Sequence, residues 1–396
     1  MLRLSDLVDS AAMATAVGAV AMLAGNASAQ WTATLLNPAG SIESVAIHAS
    51  PGAQAGHSKF GDYYHAGFWN GSAGSWIDLH PTWSVESVAN AADAGQQVGR
   101  ARVGNAHHAA LWTGTPESWV NLNPPGASGS IAYAVRAGQQ AGMAKIDGVD
   151  HAGYWSGSAV TWVDLHPDGA TVSLARGTSG TRQVGQATFD GFTRASLWLG
   201  SAASWIDLNP YFAESSGAVA VWGNTQVGWT TFEGQQRAAM WSGSADSWVD
   251  LHPASAQFSL AHGVHEGWQV GYAYSDKYRA SVWTGSAASW EDLSTTLPGS
   301  WLSSLAWSVW REGSTLYVAG SGFNADRWRT EAILWSRTVD VPCTADVNGD
   351  TFVNGDDYDL FAEAFDAGGL AADFNQDGFV NGDDYDLFAE AFEAGC

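Results

Sequence analysis

One pattern recurs from Trp31 to about Trp335, and it decides what this chain can fold into. His65-Ala66-Gly67-Phe68-Trp69 leads to Ser75-Trp76-Ile77-Asp78-Leu79-His80-Pro81. The same words return at His108 to Pro124, His151 to Pro167, Arg194 to Pro210, Arg237 to Pro253 and Arg279 to Ser294. The anchoring tryptophans, Trp69, Trp112, Trp155, Trp198, Trp241, Trp283 and Trp335, are separated by 43, 43, 43, 43, 42 and 52 residues. A second anchor, Gly56, Gly99, Gly142, Gly185, Gly228, Gly271 and Gly320, usually after Gln-Val or Gln-Ala, keeps the same register. A fixed period of this size is that of a four-stranded propeller blade. One unit divides into four short strands: Ser87 to Ala91, small and suited to a crowded axis, then Gln96 to Ala101, His108 to Trp112 and Trp119 to Leu122. Gly and Ser clusters such as Thr113-Gly114 supply the turns. Nothing in the array carries the 3.6-residue periodicity of a helical solenoid.

The ends of the array predict how it closes. Thr34-Leu35-Leu36-Asn37-Pro38 matches only the last strand of a unit, and Glu331-Ala332-Ile333-Leu334-Trp335 lacks that strand. Joined, they complete a seventh blade, so residues 30–338 are expected to form a seven-bladed all-β propeller without open sheet edges. With words such as His65-Ala66-Gly67-Phe68, His108-Ala109-Ala110-Leu111 and His151-Ala152-Gly153-Tyr154, the units resemble the HAF family of extracellular repeats. That resemblance covers about 300 residues and implies a repeat type, not a defined activity.

Hydrophobic residues make up 46% of the 396 and charged residues 14%, which excludes a disordered chain. The 46 glycines and 22 tryptophans fit many short strands and tight turns. A net charge of −24 argues against nucleic-acid binding, which needs Lys and Arg against phosphate. The charge is uneven: from Cys343 onward there are fourteen acidic and no basic residues, leaving about −10 on the rest. Residues 1–29 read as a signal peptide, with Arg3, an apolar stretch from Ala11 to Ala24 and an Ala27-Ser28-Ala29 cleavage site. An ordinary N-terminal helix is the alternative. The apolar stretch is too short to span a membrane, so the chain is expected to be secreted or cell-surface associated and not transmembrane.

After a linker over 339–342, residues 343–396 form a second unit. Asn354 to Phe365 is repeated letter for letter as Asn381 to Phe392. Each copy completes a run of oxygen-bearing side chains at the spacing of an EF-hand-type loop, with ligands at positions 1, 3, 5, 7, 9 and 12 and the seventh acting through its carbonyl. The predicted calcium ligands are Asp346, Asn348, Asp350, Phe352, Asn354 and Asp357, then Asp373, Asn375, Asp377, Phe379, Asn381 and Asp384. Position 6 is Thr351 in the first loop and Gly378 in the second. A short helix is expected after each loop, with Tyr358, Phe361 and Phe365, or Tyr385, Phe388 and Phe392, on one face that reads as module core. Cys343 and Cys396 bracket the unit. In an exported chain they suit a disulfide worth roughly 4 kcal/mol, two free thiols being the alternative. Loop, single helix and near-copy resemble a type I dockerin. That resemblance implies two calcium ions and docking onto a cohesin-like or other surface scaffold. The usual partner-contact positions, 10 and 11 of each loop, are Gly355-Asp356 and Gly382-Asp383 here.

No catalytic constellation stands out, so the chain reads as non-enzymatic. His80, His166 and His252 exchange with Asn123 and Asn209 before proline, which fits a turn-forming polar residue rather than a metal site. The recurring Asp78, Asp164, Asp207, Asp250 and Asp292 are expected to cap turns. Thirteen tryptophans sit at repeat positions and read as packing between blades. The repeated packing does not need a residue that breaks the repeat. Trp222, Trp229, Trp268, Trp307 and Trp310 are therefore the candidate ligand-binding residues, with Trp301 and Trp328 in the same class. The expected role is a binding protein attached to a scaffold. A carbohydrate-active enzyme or lectin carried on a dockerin, and a structural surface repeat protein, are the alternatives.

Overall fold

The structure, a computed structural model, describes residues 30–339, 345–348, 352–375 and 379–394. The expected leader, most of the linker, Asp350, Asp377, Cys343 and Cys396 lie outside the described residues. Residues 32–338 form seven four-stranded antiparallel sheets. Six follow chain order, as in Ser87–Asp93, Gln96–Val103, Ala106–Trp112 and Val120–Asn121. The seventh joins Trp301–Glu312, Thr315–Asn324 and Arg329–Thr338 to Thr32–Leu35, with Thr32 opposite Ser336 and Leu35 opposite Ile333. The ring is thus sealed by the strand that the end fragments require. The long final gap in the repeat goes into this blade, whose own strands reach 12, 10 and 10 residues.

Each blade is wedged against the one before it by its anchoring tryptophan. All seven are fully buried. Trp112 sits among Ala55, Ala66 and Leu79 of the preceding blade, and Trp155 among Val98, Leu111 and Leu122. An indole buries enough apolar surface to dominate such a joint. In two blades the second tryptophan of the word leans on the first, Trp76 on Trp69 and Trp162 on Trp155, with ring centres 4.6 Å apart in both.

A polar joint accompanies the apolar one. Each innermost strand carries a serine at or near its start, Ser44, Ser87, Ser130, Ser173, Ser216, Ser259 or Ser304, each at most 1% exposed. Its hydroxyl accepts the backbone N–H of the third strand one blade back. The donors are Ala332, Ala66, Ala109, Ala152, Ala195, Ala238 and Ala280, at 2.8–2.9 Å. In six blades the hydroxyl also meets the polar residue of the Leu-His/Asn-Pro word. Ser130 donates to Asn123 Oδ1 at 2.8 Å, and His80 Nδ1 takes the same place beside Ser87 at 2.8 Å. The histidine and the asparagine are interchangeable because each offers an acceptor to the serine and a donor to the carbonyl four residues on. Asn123 Nδ2 donates to the Ala127 carbonyl at 2.9 Å, and His166 Nε2 meets the Ala170 carbonyl at 2.9 Å. The turn reading of this word holds, with the serine latch as its reason.

Two residues after each serine comes a fully buried alanine: Ala46, Ala89, Ala132, Ala175, Ala218, Ala261 or Ala306. The strand pairing then slips by one residue in all seven blades. The recurring glycine of the second strand lies opposite this bulge. A Cβ on Gly99 would meet the Val88 carbonyl oxygen well inside contact distance, so no side chain fits there.

Two short helices, α1 (Gly355–Asp366) and α2 (Gly382–Ala394), follow the propeller. They pack as near-copies of each other. Phe361 and Phe388 stack face to face at 3.9 Å, both essentially unexposed, with Phe365, Phe374 and Phe392 around them. The aromatic stripe is therefore module core, while Tyr358 and Tyr385 meet at its edge with their hydroxyls 3.3 Å apart.

Replacing one latch serine, Ser130→Ala, leaves the Ala109 N–H and the Asn123 amide buried without their partner. Equilibrium denaturation is expected to show a loss of about 1–3 kcal/mol, the cost of orphaned buried polar groups, whereas an exposed serine such as Ser128→Ala stays near zero.

Candidate functional site

The residue left over at each bulge is re-aimed out of the ladder. The seven are Ile47, Asn90, Tyr133, Arg176, Val219, His262 and Trp307, and all of them line one cavity on the propeller axis, of about 1180 Å³. Every blade carries the same serine and the same alanine just before this position, yet no two blades carry the same residue at it. Blade packing therefore does not dictate what stands there. Three residues further on, a second ring at the cavity mouth contributes Asp93, Arg136, Trp222, His265 and Trp310.

The mouth is closely knit. Arg136 lies over Trp222 and Trp310, its guanidinium 4.6 and 4.9 Å from the ring centres, and pairs with Asp93 at 3.2 Å. His265 fits between the two indoles, 3.9 Å from Trp222 and 4.2 Å from Trp310. Arg311 pairs with Glu266 beside it. Deeper in, Arg176 covers Tyr133 at 4.4 Å, and His262 leans on Trp307 at 4.4 Å. The histidines are held neutral. Burial, reinforced by Arg176, lowers His262 to about 3. Burial with Arg136, Arg311 and His48 lowers His265 to about 3. Burial takes His48 to about 4, with Asp93 opposing and Arg136 assisting.

Four of the five sequence-predicted tryptophans reach this cavity: Trp222, Trp268, Trp307 and Trp310. Trp229 does not. It lies flat on Gly217, where its Nε1 would be 2.8 Å from an added Cβ. Other blades place Val, Ile or Leu at the glycine's position, so this indole is a large-for-small exchange within blade packing. Trp301 is buried and donates to the Pro298 carbonyl, and Trp328 is 74% exposed away from the cavity lining. The sequence reading missed Arg136, Arg176, Tyr133, His262 and His265.

The word-leading residues take no part in the cavity. His65 and His151 bind Asp78 and Asp164 at 2.8 and 2.7 Å, and Arg194, Arg237 and Arg279 bind Asp207, Asp250 and Asp292 at 2.7–3.0 Å. The other oxygen of each aspartate accepts the N–H two residues on, the expected turn cap.

In the C-terminal unit, the last predicted ligand of each loop is a fully buried carboxylate. Asp357 accepts the N–H groups of Asn354 and Asn348 at 2.9 and 3.1 Å, and those amides hold it below the ordinary carboxylate range. Burial pushes Asp384 up, and the Asn375 and Asn381 amides more than offset it. Asn354 and Asn381 cap the helices, each accepting at 2.8 Å from the second residue on, and the Asn354 side chain also takes the backbone N–H of Asp357. The expected ligands carry only oxygen donors, the type that suits a hard divalent cation, and among the described residues no three acidic, histidine or cysteine side chains gather as a metal site.

No protein-family model matches the chain. No curated protein matches it either. Among solved structures, oligogalacturonate lyase from Vibrio parahaemolyticus superposes with a TM-score of 0.51 at 8% identity, over 78% of this chain and 97% of that one. Puromycin hydrolase gives 0.49 at 11% identity over 76% of this chain, which spans 56% of that enzyme's length. TolB from Acinetobacter baumannii gives 0.40 at 10% identity, over 72% and 80%. At 8% identity the lyase shares a fold with this chain and nothing finer. Among the described residues no helix is long and apolar enough to cross a membrane.

His48, His262 and His265 all have folded values depressed below the ordinary 6.5. The unfolded chain therefore binds more protons below pH 6.5, and stability present above that pH is lost as pH falls toward 4 and 3. Denaturant midpoints measured from pH 7 to pH 4.5, where most carboxylates stay ionised, are expected to fall steadily. His262→Gln is expected to flatten that slope.

Proposed function

We propose that this is an exported, non-enzymatic binding protein. Its propeller offers the axial cavity to a ligand, and a dockerin-like module attaches it to a cohesin-like or other cell-surface scaffold. One observation carries the reading: the seven residues left over at the bulges, different in every blade, converge on a single cavity with Trp222, Trp268 and Trp310, while residues that obey the repeat build the walls. Aromatic faces with polar groups between them suit a carbohydrate, which stacks on indoles and needs few, fixed hydrogen bonds. The HAF-like repeats fit the same extracellular setting.

For the module, the proposed calcium ligands are the two sets of six given above. Their side-chain carboxylates repel one another without a cation, so metal binding and folding are linked. Calcium supplies the positive charge that lets these loops close against Phe361 and Phe388. Presentation of α1 and α2 to a partner then depends on it.

Calorimetry of the whole chain is expected to resolve a transition that rises with millimolar calcium and drops on chelation, beside one that does not move. A calcium-independent profile counts against the module assignment. On a glycan array, the wild type is expected to give signals that Trp222→Ala and Trp307→Ala weaken and Trp229→Phe leaves in place. Turnover of a bound polysaccharide would replace the non-enzymatic reading with a carbohydrate-active one.

A further inference from the structure

Four arginines line the axial cavity, in a chain whose net charge is −24. Two are matched, Arg136 by Asp93 and Arg311 by Glu266. The other two, Arg176 and Arg182, have no carboxylate partner among the described residues. Arginines at repeated positions elsewhere on the ring do, as Arg194, Arg237 and Arg279 show. Arg176 is half-buried at the bulge ring, with only the face of Tyr133 beneath it. Arg182 stands nearer the mouth and reaches the Gly223 carbonyl at 3.5 Å. A guanidinium taken partly out of water without an anion is costly, and nothing in blade construction requires one there.

The surrounding groups are also incomplete. His262 Nε2 and His265 Nδ1 are buried and have no hydrogen-bond partner among the described residues. These orphan atoms lie with the aromatic faces of Trp307 and Trp310 on the lining of one cavity. Its volume exceeds the roughly 300–1,000 Å³ of a pocket for a single small molecule. It has room for a ligand of several rings.

We infer that the axial cavity takes an acidic oligosaccharide, with Arg176 binding its carboxylate or sulfate group and Arg182 a second one nearer the mouth. This deepens the binding reading given above and rests on it. Arginine suits this place because its planar fork meets a carboxylate or sulfate with two parallel hydrogen bonds, and because it can stay stacked on Tyr133 while doing so. The indoles take the faces of the sugar rings, and the neutral histidines can accept from or donate to hydroxyls without adding charge.

Titration calorimetry on the full chain with three tetrasaccharides of equal length, a uronate oligomer, a sulfated galactan fragment and a neutral glucan, tests this. One or both acidic probes are expected to bind, with the neutral one weaker by about tenfold or more, the worth of one charge-assisted pair. Which acidic probe binds tells carboxylate from sulfate. Arg176→Gln is expected to remove that preference and Arg176→Lys to keep part of it, with thermal melts checking that each variant folds. Binding of the neutral probe as tight as the acidic ones, sensitive to Trp307→Ala but not to Arg176→Gln, overturns the charge assignment and leaves the binding reading standing. Binding of none of the three, or binding that neither variant weakens, overturns both.

Discussion

Seven buried serine hydroxyls set the spacing of this ring. Each takes a backbone N–H from the blade behind it, and in six blades hands its own proton to an amide oxygen or a ring nitrogen. Such a bond has a narrow range of length and angle, so it fixes the height of every innermost strand relative to its neighbour. The tryptophan wedge buries a large apolar surface, a non-directional contact that tolerates sliding; the serine does not. With the strand entry pinned and a small alanine two residues on, the bulge falls at the same level in all seven blades. The cavity rings are level for that reason.

Much of this was legible in the chain. The period, the closure by the N-terminal strand and the packing role of thirteen tryptophans follow from spacing alone. Trp222, Trp268, Trp307 and Trp310 break the repeat, are not needed by its packing, and line the axial cavity. Trp229 also breaks the repeat but stays in blade packing, because a second break, Gly217, lies opposite it and the two compensate. The missed residues were hidden by a different cause. Arg176 and His262 occupy a position that varies in every unit, so no unit looks exceptional there. Their signal is the word Ser-x-Ala followed by an unconstrained residue, as in Ser173-Leu174-Ala175-Arg176, and its meaning depends on a bulge that strand propensity does not reveal.

The histidines show the same limit from the other side. Their exchange with asparagine pointed to a turn, and the turn is there. The reason, a serine that needs an acceptor at one point and a carbonyl that needs a donor at another, involves a residue seven positions away and a strand in the next blade. In the C-terminal unit the exact duplication has a packing consequence that sequence alone leaves open. Identical segments place Phe361 against Phe388 and Tyr358 against Tyr385, so each copy completes the core of the other.

The seam between Thr32 and Ser336 joins positions 304 residues apart. During synthesis the first strand therefore waits, unpaired, until nearly the whole ring has been made. Six blades can assemble in order behind it, each on its predecessor, but the last sheet lacks its outer member until the two ends meet. The slow, non-local event in folding is then the final one. The species most exposed to aggregation is an almost finished ring with one gap, not an early fragment.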